Sequence, residues 1–172
     1  MCIRDRVYGP LLEEQERLRP GLMLLSFLSL AVNPRLTRAL LDSGCTAFAL
    51  ENVRNASGGL PLLTPMSEIA GRLVPQIGAH YLQKPSGGRG VLLGGATGVR
   101  PGRVVVLGAG IVGSGAARVS SELGAEVTVL DRDIERLRRI ESERYGERRI
   151  TTLAATGPSI RDAVLRADLV IG

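Results

Sequence analysis

Apolar positions in the first third of the chain come in short runs separated by amphipathic stretches. LLEEQERLRPG, residues 11–21, reads as a short helix stopped by Pro20 and Gly21. LMLLSFL follows as a buried strand. NPRLTRALLDSG then carries Asn33 as an N-cap, Pro34 in the first helical position and Gly44 as a C-cap. TAFALE is a second buried strand, too short for a helix. Residues 11–51 therefore predict αβαβ, the alternation of a parallel sheet with helical crossovers.

After the turn-rich NASGG, residues 64–84 predict a long helix with Thr64 as its N-cap and Pro65 in the first helical position. Ile69, Leu73, Ile77 and Tyr81 recur every fourth residue, which marks their face as the buried one. Pro75 should bend this helix or interrupt a hydrogen bond. Residues 85–102 are dense in Gly and Pro and read as an ordered connector. From Arg103 the rhythm becomes regular. RVVVLG, EVTVLD, RRITTLA and DLVIG are strands, alternating with helices over 111–123, in DIERLRRIESERYG and in SIRDAVLRA.

Composition narrows the functional classes. At 172 residues, 44% hydrophobic and 23% charged, the chain suits a globular protein of one domain or slightly more. With aromatics at 3% and no Trp, its core must be built from Leu, Val, Ile and Ala. A net charge of +5 invites a nucleic-acid reading, but the distribution argues against one. The densest basic patch, RLRRIESERYGERR, is interleaved with Glu141, Glu143 and Glu147, as on an ion-paired surface rather than a phosphate track. Cys2 and Cys45 form no spaced pair, so no disulfide framework or metal site is expected. LMLLSFLSLAV falls well short of the roughly 20 residues that span a bilayer, and MCIRDRVYGP is not a signal peptide. No membrane association and a cytoplasmic location are the expectations.

The stretch VVVLGAGIVGSGAARVSSELGAEVTVLD carries the candidate chemistry. Gly108, Gly110 and Gly113 follow a strand and open a helix, the context in which a G-x-G-x-x-G pattern binds a dinucleotide. Gly108 allows the tight turn, Gly110 leaves room for the pyrophosphate, and Gly113 lets helix and strand pack closely. Amides at the start of the helix, those of Ile111 and Val112, point at the phosphates with the helix dipole behind them. Asp131 closes the next strand, where its carboxylate accepts hydrogen bonds from the ribose hydroxyls; this favours NAD, although Arg132 directly beside it is compatible with NADP. The fold class is α/β, with a Rossmann-type doubly wound parallel sheet. A complete sheet of this kind has six strands, so it reads as truncated here and the chain as part of a longer protein.

LPLLTPMSEIAGRL, GGRGVLLGG, VVVLGAGIVG and RADLVIG resemble the alanine dehydrogenase/nicotinamide nucleotide transhydrogenase family, and alanine dehydrogenase more than the transhydrogenase, over residues 7–172. The resemblance implies a substrate domain and a Rossmann domain joined by long helices, and the reversible conversion of L-alanine, NAD and water to pyruvate, ammonia and NADH. Residues 1–60 would then be the C-terminal part of the substrate domain, 61–102 an interdomain helix and connector, and 103–172 the N-terminal part of the NAD-binding domain. It also places Met66 and Ser67 beside the cofactor, with Ser67 in reach of the pyrophosphate. The alternative for Ser67 is a helix N-terminal residue that satisfies its own free amides. The partners implied are a small amino acid or 2-oxo acid and, for the full-length form, further copies of the same chain.

The departures from the family pattern bear on catalysis. Where the family has its catalytic histidine, LLSFLSLAV has Ser29, and a serine cannot shuttle a proton near neutral pH as an imidazole does. The position of the substrate-binding lysine falls on Tyr8 in VYGP. The family's catalytic aspartate and substrate arginine belong to segments outside this chain, His80 matches a word with no catalytic role, and MCIRDR reads as foreign. No catalytic residue is assigned. The leading reading is an NAD-dependent oxidoreductase of the alanine dehydrogenase type. The alternatives are the nucleotide-binding component of a proton-translocating transhydrogenase, where hydride passes directly between two cofactors, and a non-catalytic NAD-binding module.

Overall fold

The computed structural model describes residues 7–142 and 150–172. It divides into two compact units, Met1–Pro65 and Met66–Gly172.

In the first unit α1 (Leu12–Gln15), β1 (Met23–Ser26), α2 (Pro34–Ser43) and β2 (Thr46–Ala49) follow in turn. β1 and β2 pair in parallel, with Met23 opposite Thr46 and Ser26 opposite Ala49. Helix α2 has the expected caps. Asn33 Oδ1 accepts from the Leu36 amide at 3.1 Å, and Gly44 closes the helix at φ +63°, a conformation glycine adopts without penalty. Leu18, Leu24, Leu28, Leu36 and Leu40 form the core.

Two expectations need correction in this unit. Helix α1 is a single turn: the Glu14 carboxylate accepts from the Leu11 amide at 2.9 Å, and the chain then turns so that Leu18 reaches the core. The strands are not buried on both faces. Leu24 and Ser26 point into the core, while Met23 and Leu25 stand 70% and 54% exposed, and β2 exposes Phe48. Successive strand residues face opposite sides, and the leucines of α2 pack on one side only, so a continuous apolar run yields a half-covered sheet.

The second unit holds a four-stranded parallel sheet in the order β5-β4-β3-β6, made of β3 (Arg103–Leu107), β4 (Glu126–Asp131), β5 (Thr151–Ala154) and β6 (Leu169–Ile171). Helices α4 (Ile111–Glu122), α5 (Ile134–Ser142) and α6 (Gly157–Arg166) make the crossovers. β3 is central, with Val104 paired to both Val127 and Leu169, and Val104, Val105 and Val106 are all buried. Reversal of strand order at β3 places a crevice at the carboxyl ends of the strands, where such sheets bind ligands. Helix α6 begins earlier than its apolar pattern suggests, because Thr156 and Ser159 form a reciprocal cap around Gly157 and Pro158. Residues 143–149 of the Arg/Glu-rich patch lie outside the described residues; before them, Arg138 pairs with Glu135, and Arg136 with Asp133.

Helix α3 (Thr64–Tyr81) joins this unit from Met66 onward. It starts at Thr64, whose hydroxyl donates to the Leu60 carbonyl instead of capping the helix, and it continues through the buried Pro75. Its buried face is not the one that apolar spacing predicts. Ile69, Leu73, Ile77 and Tyr81 are 65%, 47%, 43% and 65% exposed, whereas Gly71, Pro75 and Gly78 are buried. A Cβ on Gly71 would lie 2.5 Å from the Val112 carbonyl oxygen, and one on Gly78 would lie 2.5 Å from Leu169 Cδ2. The packed face is thus the one whose glycines let the α4 backbone and the Leu169 side chain come close.

Candidate cofactor-binding site

The site forms where β3 turns into α4. Gly108 takes φ +108°, open to glycine but not to residues with a side chain, and its amide donates to the Leu130 carbonyl at 2.7 Å. The remaining two glycines of the motif do different things. A Cβ on Gly113 would stand 1.8 Å from the Gly108 carbonyl oxygen, so this glycine permits the first turn of α4 to close on the loop. A Cβ on Gly110 would meet nothing within 4 Å. Its backbone is extended, so the fold itself does not require glycine there; the open space beside it is what a pyrophosphate needs. Gly110 offers no side-chain cap, which leaves the Ile111 and Val112 amides without partners inside the helix, at the positive end of its dipole.

Asp131 ends β4 beside this turn. Its Oδ2 accepts from the Ala109 amide at 2.6 Å, and its Oδ1 from the Asp133 amide at 2.8 Å. These two bonds, Ala109 first, hold the carboxyl below the usual carboxylate range against the opposing effect of burial, and Arg136 adds to them. The Arg136 Nη1 lies 3.8 Å from Asp131 Oδ2, and its Nε lies 3.4 Å from Asp133. The acid and the glycine turn are thereby one hydrogen-bonded piece. A groove of about 680 Å³ runs from Ala109, Gly110 and Ile111 along α4 towards Arg136. The residues of α3 that line it are Glu68 and Arg72; Met66 and Ser67 sit half-buried in the first turn of that helix, off the groove.

Within the first unit lie the two positions that depart from the family pattern. Tyr8 bridges in parallel to Phe27, beyond the end of β1, two residues before Ser29. Ser29 adopts φ +49°, ψ +44°, the only described non-glycine residue with positive φ. Its amide donates to Glu51 Oε1 at 2.7 Å, and the Leu28 amide to Glu51 Oε2 at 3.1 Å. Nothing in TAFALE marks Glu51 as a clamp on the segment that follows β1. His80 is exposed, within 3.2 Å of the Ser86 hydroxyl and edge-on to Tyr81.

Asp168 also escaped the sequence reading. Its side chain is 2% exposed, accepting from the Arg103 amide at 2.9 Å and from Arg100 Nη1 at 3.0 Å, with Arg89 at 3.6 Å. Burial opposes its charge, but the Arg103 amide and the two arginines outweigh it and hold the carboxyl below its ordinary range. The available signal was an acid directly ahead of an apolar strand. Among the described residues no cluster of His, Cys, Asp and Glu is arranged to hold a metal, and no helix is long and apolar enough to cross a membrane.

Residues 74–172 match the family model for the alanine dehydrogenase/PNT C-terminal domain, and residues 6–70 match that for the N-terminal domain. The chain belongs to the alanine dehydrogenase/PNT family. It is 52% identical over 167 residues to the alanine dehydrogenase of Mycobacterium tuberculosis H37Rv, covering 97% of this chain and 44% of the relative. The Bacillus subtilis alanine dehydrogenase is 48% identical over 166 residues, covering 96% of this chain and 43% of the relative. The chain thus spans less than half the length of these curated relatives. An L-alanine dehydrogenase structure superposes with a TM-score of 0.79 at 45% identity, over 95% of this chain and 45% of that one. A transhydrogenase from Sinorhizobium meliloti shares the fold, with a TM-score of 0.69 at 21% identity over 96% of this chain and 47% of that one. Membership in the alanine dehydrogenase/PNT family accounts for the α/β class and the parallel sheets.

Proposed function

We propose that the chain is the cofactor-binding part of an NAD-dependent oxidoreductase of the alanine dehydrogenase type. The observation that carries the reading is the turn at Gly108, Gly110 and Gly113, hydrogen-bonded through Ala109 to Asp131 and open beside Gly110. Gly110, Ile111 and Val112 would hold the pyrophosphate, and Asp131 the adenosine ribose. Bound NAD supplies the acceptor for a hydride. This chain's residues bind and orient it: unpaired amides and the helix dipole meet the phosphate charge, and Asp131 accepts from the ribose hydroxyls. Met66 and Ser67, in the first turn of α3, would lie beside the cofactor, with Ser67 in reach of the pyrophosphate. The substrate class that follows from the relatives is an amino acid with its 2-oxo acid, the working form a homo-oligomer, and the place of action the cytoplasm.

Ser29 favours a second reading, in which no alanine chemistry occurs. A hydroxyl at the family's histidine position cannot act as proton shuttle near neutral pH. Transfer of hydride straight between two nucleotides, or cofactor binding without turnover, needs none.

Calorimetric titration of the 172-residue chain with NADH tests the binding reading, and an assay of alanine with NAD on the full-length gene product tests the reaction. Micromolar NADH binding with alanine turnover supports the first reading in full. Binding without turnover favours the second, and no binding overturns both.

A further inference from the structure

The surroundings of Asp131 are not those of a lone acid that rejects a phosphate. Both of its oxygens already accept from backbone amides, those of Ala109 and Asp133, which spreads its charge and fixes its orientation. Two guanidinium groups follow it in the sequence. Arg136 reaches back from the first turn of α5 to within 3.8 Å of its Oδ2, and half of that arginine's side chain remains exposed. Arg132, the next residue, is exposed and makes no ion pair among the described residues. Asp133 is the other acid here, 3.4 Å from Arg136 Nε, and Glu135 is engaged by Arg138. Two carboxylates and two guanidiniums therefore balance where a solitary aspartate would leave a net negative charge.

A 2′-phosphate on the adenosine ribose would meet donors here. Guanidinium binds phosphate through paired, charge-assisted hydrogen bonds, and an arginine near the end of the second strand is what accommodates NADP in folds of this type. We propose that Arg132 and Arg136 form a seat for the 2′-phosphate beside Asp131, so that this chain takes NADPH as well as NADH. The proposal rests on the cofactor reading of the glycine turn and deepens it. Asp131 holds the ribose 3′-hydroxyl in either case. With NADPH the phosphate lies on the solvent side of Asp131, where Arg132 is free to swing and Arg136 exchanges its long contact with Asp131 for the phosphate.

The test uses the 172-residue chain and fluorescence titration with NADH and NADPH, so that no turnover is needed. The expected result is an NADPH Kd within about tenfold of that for NADH. The double variant Arg132→Ala/Arg136→Ala should weaken NADPH by about tenfold for each lost charge-assisted contact and NADH by much less. Arg132→Glu, a change at an exposed turn position, should raise the NADPH Kd by a larger factor than the NADH Kd, with the circular dichroism spectrum of the parent. Tight NADH binding with NADPH more than about a hundredfold weaker overturns the proposal and leaves the cofactor reading intact. Equal losses for both nucleotides in the double variant also overturn it. Failure to bind either nucleotide overturns the cofactor reading and this proposal together.

Discussion

The amide of Ala109 donates to the carboxylate of Asp131 across 2.6 Å, joining the middle of the glycine turn to the end of the neighbouring strand. Asp131 thus has a part in shaping the turn in addition to its part in meeting ribose. Asp131→Ala removes both, and NADH binding by the chain should weaken by about ten- to a hundredfold, the worth of one or two charge-assisted hydrogen bonds. Asp131→Asn keeps one acceptor for Ala109 and should lose less. Isothermal calorimetry on both variants checks the order; equal losses would mean that the link to Ala109 does nothing.

Gly110 and Gly113 should separate binding from folding. Gly113→Ala forces a methyl to 1.8 Å from the Gly108 carbonyl oxygen, and destabilisation by about 2 kcal/mol or more should appear in a urea melt. Gly110→Ala meets no protein atom within 4 Å, so its melt should match the parent within about 0.5 kcal/mol while NADH binding falls at least tenfold. A Gly110→Ala variant that binds normally would move the pyrophosphate elsewhere.

The clamp around Asp168 makes an acid-sensitive contribution to stability. Its carboxyl is held below the ordinary value of about 3.9, so its contribution is complete above that pH and fades as the pH falls through the folded-state value. Asp168→Asn should cost about 2 kcal/mol at pH 7, because it weakens two ion pairs at a buried site. The gap between variant and parent should narrow below pH 4. Urea melts at pH 3 to 7 measure it, and a gap independent of pH would rule out the ionised carboxylate as its source.

Ser29 sits in a left-handed conformation that residues with a side chain adopt at a cost. Ser29→Gly should therefore stabilise the first unit by a few tenths to about 1 kcal/mol, and Glu51→Ala, which orphans the Leu28 and Ser29 amides, should destabilise it by about 1–2 kcal/mol. Thermal melts of the two variants test the pair. A destabilised Ser29→Gly would show that the serine side chain holds the turn.

How far these features could be read from sequence depended on which physical signal carried them. The glycine turn, Asp131 and the strand–helix alternation of the second unit were legible because each rests on local chemistry: a turn that needs glycine, a strand of β-branched residues, a cap. The caps of α2 were legible for the same reason. The buried face of α3 was not, because hydrophobic spacing reports greasy surface, whereas this helix packs through Gly71 and Gly78, residues with no surface to count. The strands of the first unit were half misread because a run such as LMLLSFL hides the alternation of its two faces. Glu51 and Asp168 act on partners far away in the chain, a relation that spacing does not encode.

In the parallel sheet, Asp168 and Arg103 lie at the amino ends of β6 and β3, while Gly108 and Asp131 lie at the carboxyl ends of β3 and β4. The five residues of β3 stand between, about 17 Å of extended chain. Sites that far apart with no shared partner vary independently, and their free energies add. The anchoring end and the nucleotide end of this unit can therefore drift separately in evolution: one can be rebuilt to survive acid or heat while the other keeps, or changes, its choice of cofactor.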